Sequence, residues 1–251
     1  MKKLIQNTFF AVALATVIFS GCDKTEDVIE DPTTNTPNTG NATPTIKGGY
    51  GSFAAVHSVS YTTVQGITIP LDVNTAVSAF YSAPGSSTMV DAGTVTLNSK
   101  TLTKNSNNAY VYQNLTDPLS FNQVTWNVSG SGGVPPINYT DDKPFPDFSG
   151  YNSLPATLTK ANGLTVTLGG TVSNADSVYV IVSGGDKYVL KRVAGNASQC
   201  TFSASDLSII GNTTFGMIQV APWSYSQEDF NSKPYYFVLE TCYTKQGVTI
   251  N

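Results

Sequence analysis

His57 is the only histidine of the chain. A Ser-His-Asp triad would have to use it, yet it lies within an apolar, strand-like run and no GxSxG nucleophile elbow occurs anywhere in the sequence. A His-rich metal site is excluded on the same count, and HExxH, CxxC and P-loop patterns are absent. The plain expectation for His57 is a strand histidine half in the core. Gly49-Tyr50-Gly51-Ser52-Phe53-Ala54 matches GxGxxA by letter. The dinucleotide fingerprint needs a strand before it and a helix after it, whereas here a polar stretch precedes and a strand-like run follows. No cofactor is expected.

Two carboxylate groups carry more. Asp141, Asp142 and Asp147 lie in a proline-rich stretch, where clustered oxygens could hold a calcium ion. No EF-hand spacing is present, and a solvated acidic loop explains them as well. Residues 222–234 read PWSYSQEDFNSKP and are expected to form a long loop. Trp223, Tyr225 and Phe230 stand there beside Gln227, Glu228 and Asp229, the mixture a sugar-binding surface uses. Rings cover the apolar sugar face while amides and carboxylates take the hydroxyls. The alternative tucks Trp223 and Phe230 under the loop as a core cap. Glu228 and Asp229 are adjacent, so in extended chain they face opposite ways and make a poor glycosidase pair.

The N-terminus carries an address. Lys2 and Lys3 precede an apolar run from Phe9 to Phe19, and small residues lead to Ser20-Gly21-Cys22. That is the pattern of a secretory signal peptide, with an apolar run short of the roughly 20 residues a membrane span takes. The sequence around Cys22 resembles the signal peptidase II lipobox of bacterial lipoproteins, with Phe19 where that family prefers Leu. The resemblance implies lipid on the Cys22 thiol, a membrane partner, and cleavage that makes Cys22 the new N-terminus. Residues 23–46 are acidic at first, then rich in Thr, Asn and Pro, and are expected to form a disordered tether. As a flexible coil it would span roughly 27 Å. Its early acidic residues resemble surface-export signals of Bacteroidota lipoproteins, while Asp23 next to Cys22 resembles an inner-membrane retention signal. The expected location is the cell envelope, the outer membrane on its periplasmic or surface-exposed side, with membrane and face left open. Cys200 and Cys242 remain; in an exported protein they either pair as a disulfide or stay separate as buried thiols.

Charged residues make up 12% of the chain, half the usual share, and Arg192 is the only arginine. A nucleic-acid binder needs clustered cations, so that class of partner is excluded. The net charge of −4 steers no partner strongly.

The body reads as strands. Val124, Trp126 and Val128 alternate with polar residues, as do Leu164, Val166 and Leu168, the period-two pattern of half-buried strands. Residues 178–182 are apolar on both parities, which predicts a central strand covered on both sides. Ser183-Gly184-Gly185-Asp186 predicts a hairpin turn. Many short strands separated by turn signals predict an all-β fold. Prolines and glycines between 129 and 155 forbid a central strand there and suggest a boundary near 148. The expected organisation is a signal peptide over 1–21, the lipidated cysteine and tether over 22–46, and two small antiparallel, immunoglobulin-like β-sandwich domains over 47–148 and 149–251. The pattern resembles two-domain β-sandwich lipoproteins of Bacteroidota, most closely over 76–102, a resemblance that implies location and fold but no chemistry. Asp176-Ser177-Val178 is also similar to the short O-glycosylation motif of exported Bacteroidota proteins. The function expected is a non-catalytic envelope module that binds a glycan or another envelope protein, or serves as a spacer. The alternative is a carboxylate-based glycan hydrolase.

Overall fold

The computed structural model describes residues 48–64 and 67–251, together with Ile29–Glu30 and Thr45–Ile46. Cys22 and most of the expected tether lie outside the described residues. The strands of three or more residues are β1 (Gly51–Val64), β2 (Ile67–Phe80), β3 (Val95–Leu97), β4 (Tyr110–Gln113), β5 (Val124–Val128), β6 (Ile137–Asp141), β7 (Leu164–Thr167), β8 (Ser177–Gly184), β9 (Lys187–Ala194), β10 (Gln199–Phe202), β11 (Thr213–Phe230) and β12 (Lys233–Ile250). Among the described residues, a short α-helix, α1 (Ala204–Leu207), precedes β11, and 3-10 turns occur at Tyr151–Ser153 and Lys160–Asn162. The fold is all-β.

One nine-stranded sheet organises the molecule. Its order is β9-β8-β11-β12-β1-β2-β4 and then Thr103–Lys104, with Thr157–Leu158 beside the end of β12. Smaller sheets lie against its inner face. A four-stranded sheet of β6, β5, β3 and Lys100–Thr101 shares one core with it, and the β7–β10 pair shares another. The sandwich predicted from strand alternation is thus present. Val124, Trp126 and Val128 are buried while Thr125 and Asn127 are half-buried, and Leu164 and Val166 alternate with exposed threonines. Residues 178–182 are buried on both parities, as a strand with neighbours on both faces requires.

The division near residue 148 needs correction. The large sheet takes strands from both sides of that position, and β1 pairs with β12 in parallel, Gly51 opposite Tyr235 through Ser60 opposite Thr244. The two halves are therefore neither separate sheets nor purely antiparallel. Two packing units do exist, because the 18-residue strands β11 and β12 are long enough to serve both. Tyr235, Phe237 and Leu239 enter the first core beside Phe53, Phe80 and Trp126. Val248 and Ile250 enter the second beside Val180, Phe202 and Val220. A register shift between Gly216 and Met217 skips Gly247, which has φ of 72°. This bulge keeps the apolar residues of β12 on the inner face after parity would have turned them out.

Candidate functional site

The 222–234 stretch is strand rather than loop. It forms the second half of β11, a two-residue turn at Asn231-Ser232, and the start of β12. Proline was the misleading signal. The pairing of β11 with β12 skips Ala221 and Pro222, so the missing proline N–H interrupts the ladder without ending the strand. The extended chain splits the six expected contact residues between two faces. Trp223 and Tyr225 stand on the outer face of the large sheet, and Phe230 packs against the first core on the inner face. Gln227, Glu228 and Asp229 are exposed near the hairpin tip, with Gln227 Nε2 at 3.5 Å from Asp229 Oδ1. Trp223 is fully buried and stacks on Tyr179 at 5.8 Å. The expected sugar platform is therefore not assembled as one surface.

The acidic trio is also divided. Asp141 ends β6, is buried, and accepts the Lys143 backbone N–H at 3.0 Å. With exposed Asp142 it borders a cleft of about 270 Å³, where the rings of Phe121 and Phe145 stack at 4.9 Å. Lys143 also lines it, and its Nζ donates to the Tyr225 carbonyl at 2.7 Å. Asp147 does not line this cleft; its carboxylate accepts the Tyr243 hydroxyl instead. Among the described residues no three His, Cys, Asp or Glu side chains gather as a metal site.

Cys200 and Cys242 are both free and buried. The disulfide alternative is corrected by the topology. Cys200 is in the second core, on the inner side, whereas Cys242 belongs to a cluster on the outer face. Burial pushes the Cys200 thiol up to about 11. Cys242 is raised by burial and then by Glu240, whose carboxylate accepts its thiol at 3.2 Å.

His57 lies on β1 opposite Asn74 of β2 and Thr241 of β12, half-buried as its strand position predicts. Burial lowers its pKa, and Asp72 and then Asp147 pull the other way. The surroundings form a polar seam on the inner face. Tyr243 gives its hydroxyl to Asp147 and is raised by burial first and by that carboxylate second. The rings of Tyr61 and Tyr151 meet at 4.2 Å, and Lys245 Nζ stands 5.8 Å from the Tyr151 ring centre. Tyr61, Asp72, Tyr151 and Tyr243 had no signal as a group in the sequence, since the β1–β2 hairpin, a 3-10 turn at Tyr151–Ser153 and the end of β12 that supply them are far apart along the chain.

A third apolar cluster occupies the outer face. Ala54, Val56, Tyr179, Ile181, Leu190, Ala221, Trp223, Val238 and Cys242 form it, with Tyr188 and Tyr225 at its margin. Every one of these residues belongs to the large sheet itself. Its aromatic row runs from Tyr179 to Trp223, then to Tyr225 at 6.2 Å and Tyr236 at a further 6.3 Å.

Comparison of the chain with protein-family models, with curated proteins and with solved structures found no match.

Proposed function

We propose that the protein is a lipid-anchored module of the bacterial envelope that works by holding or binding another envelope component rather than by catalysis. The observation that supports this is the use made of Asp91, Asp117, Asp176 and Asp206, which tie loops to strands. Asp91 accepts from the Gly93 N–H at 2.8 Å and the Tyr110 hydroxyl at 2.7 Å, and pairs with Lys104 at 2.5 Å. The Lys104 contact first, then the hydrogen bonds, hold its carboxyl down at about 2. Asp117 pairs with Lys100 and takes the Tyr112 hydroxyl. Asp176 accepts the Tyr225 N–H at 2.9 Å, which ties the turn before β8 to the middle of β11. Asp206 closes a capping box with Ser203 at the start of α1 and pairs with Lys191 of β9. These groups are oriented by structural bonds, whereas glycosidase carboxylates flank a cleft and face one another. A protein partner is favoured over a glycan, because Trp223 is fully buried and Tyr225 and Phe230 are half-buried on opposite faces.

The test is an activity screen on peptidoglycan and soluble polysaccharides, run beside thermal melts of Asp91→Asn, Asp117→Asn, Asp147→Asn and Asp206→Asn. The proposal expects no release of reducing ends by the wild type, and lowered melting temperatures for the variants. Hydrolysis lost in one variant whose melting temperature is unchanged would establish the hydrolase alternative.

A further inference from the structure

The outer-face cluster is as buried as the two cores, yet among the described residues it is built from one sheet. Trp223 and Ala221 are 0% exposed, Tyr179 1% and Ile181 2%. Side chains standing on one face of a sheet reach such values only under a second layer. The face also holds polar atoms that await a partner. Trp223 Nε1, Gln219 Oε1 and Ser52 Oγ are buried without a hydrogen bond, an arrangement that costs free energy unless the covering layer supplies donors and acceptors. A polypeptide with free backbone groups meets that need, and a purely apolar cover does not.

The path of the chain indicates which polypeptide. Gly49 is buried, and a Cβ on it would stand 2.6 Å from Cδ2 of Tyr236, the last ring of the aromatic row. The Tyr50 N–H then bonds the Pro234 carbonyl at 2.8 Å, and β1 begins alongside β12. The chain thus enters the sheet across the end of the row. Three residues earlier, Ile46 stands opposite Ile29, and Thr45 opposite Glu30, in a short antiparallel pair. Three residues of chain reach at most about 11 Å, so this pair cannot lie far from Tyr236.

We propose that the N-terminal strand pair Ile29–Glu30 and Thr45–Ile46 docks on the outer face and covers the aromatic row from Tyr236 towards Tyr179. The docked pair would supply a second layer over the cluster and backbone carbonyls to donors such as Trp223 Nε1. This proposal goes beyond the anchoring role and stands whether or not Cys22 carries lipid.

The test is nuclear magnetic resonance of the two indole N–H groups in the full processed chain. Trp126, in the first core, serves as the internal reference. With the strand pair docked, the Trp223 indole proton exchanges slowly with water. Ile29→Asp with Ile46→Asp should speed that exchange tenfold or more and leave the Trp126 signal unchanged. Unaltered Trp223 exchange in a folded double variant would overturn the proposal. So would a dimer of the wild type by light scattering whose dissociation uncovers Trp223, since a second copy would then be the cover. Should the double variant fail to fold, a nitroxide on Thr45→Cys in the otherwise native chain decides the matter. Broadening of the Trp223 indole signal supports docking, and an unbroadened signal overturns it.

Discussion

Trp223 shows how burial assigns a residue its role. Its ring lies against Tyr179 with an interplanar angle of 24°, and it is fully enclosed. Removing a large buried ring leaves a cavity that its neighbours fill only in part. Trp223→Ala should therefore cost about 3 kcal/mol or more, read as a shift in the denaturant midpoint. A change below about 1 kcal/mol would return the residue to the solvent-facing role its sequence neighbours suggested. Other buried groups predict a response to alkali. Burial pushes Tyr110, Tyr139 and Tyr235 up to about 12, and Cys200 up to about 11. In the unfolded chain they ionise near their ordinary values of about 10 for tyrosine and about 9 for cysteine. The folded state keeps protons that the unfolded state gives up, so this stability is full below about pH 9 and is lost as pH rises towards about 12. Melting temperatures should fall steadily across that interval, and a flat profile would contradict the burial of these groups. At this scale the sequence was informative where alternation decided burial, as at Trp126. It was misleading at Trp223, because side chains that mark a binding loop also fill a sheet.

The hairpin of β11 and β12 joins the two packing units. Its turn places Asn231 at φ 54° and Ser232 at φ 59°. Both lie in the left-handed region that suits a two-residue hairpin, where asparagine is tolerated and serine is strained. Ser232→Gly removes a Cβ from that conformation and should stabilise the protein by about 0.5–1 kcal/mol, measured by denaturant unfolding. A loss of stability would mean that the Ser232 side chain contributes more than its backbone conformation costs. The hairpin at Gly185-Asp186, by contrast, was legible from its turn residues, with Gly184 opposite Lys187 and Gly185 at φ 70°. Elements of this kind declare themselves locally. The length of β11 did not, since Pro222 and the polar run from Ser224 to Asp229 read as loop until the partner strand is known.

The whole molecule is held by contacts between residues far apart in sequence. β1 and β12 lie at opposite ends of the described chain and pair side by side. Such parallel pairing leaves no trace in local periodicity, which is why the strands were legible while their common sheet was not. A fragment covering 149–251 would leave β12 without β1, and would strip Tyr235, Phe237 and Leu239 of the first core. It should aggregate or melt without cooperativity, because it exposes a long apolar strand edge. A soluble fragment with a cooperative transition would show instead that the second unit folds alone. No helix among the described residues is long and apolar enough to cross a membrane. The proposed attachment to a membrane is through lipid on Cys22, whose sequence context resembles a lipobox. The most direct test is the intact mass, with N-terminal peptide mapping, of the protein extracted from membranes of an expressing cell. The expected chain begins at Cys22, lacks residues 1–21, and carries the added mass of a diacylglyceryl thioether. A chain that keeps residues 1–21, or one that begins elsewhere with an unmodified Cys22 thiol, would contradict it.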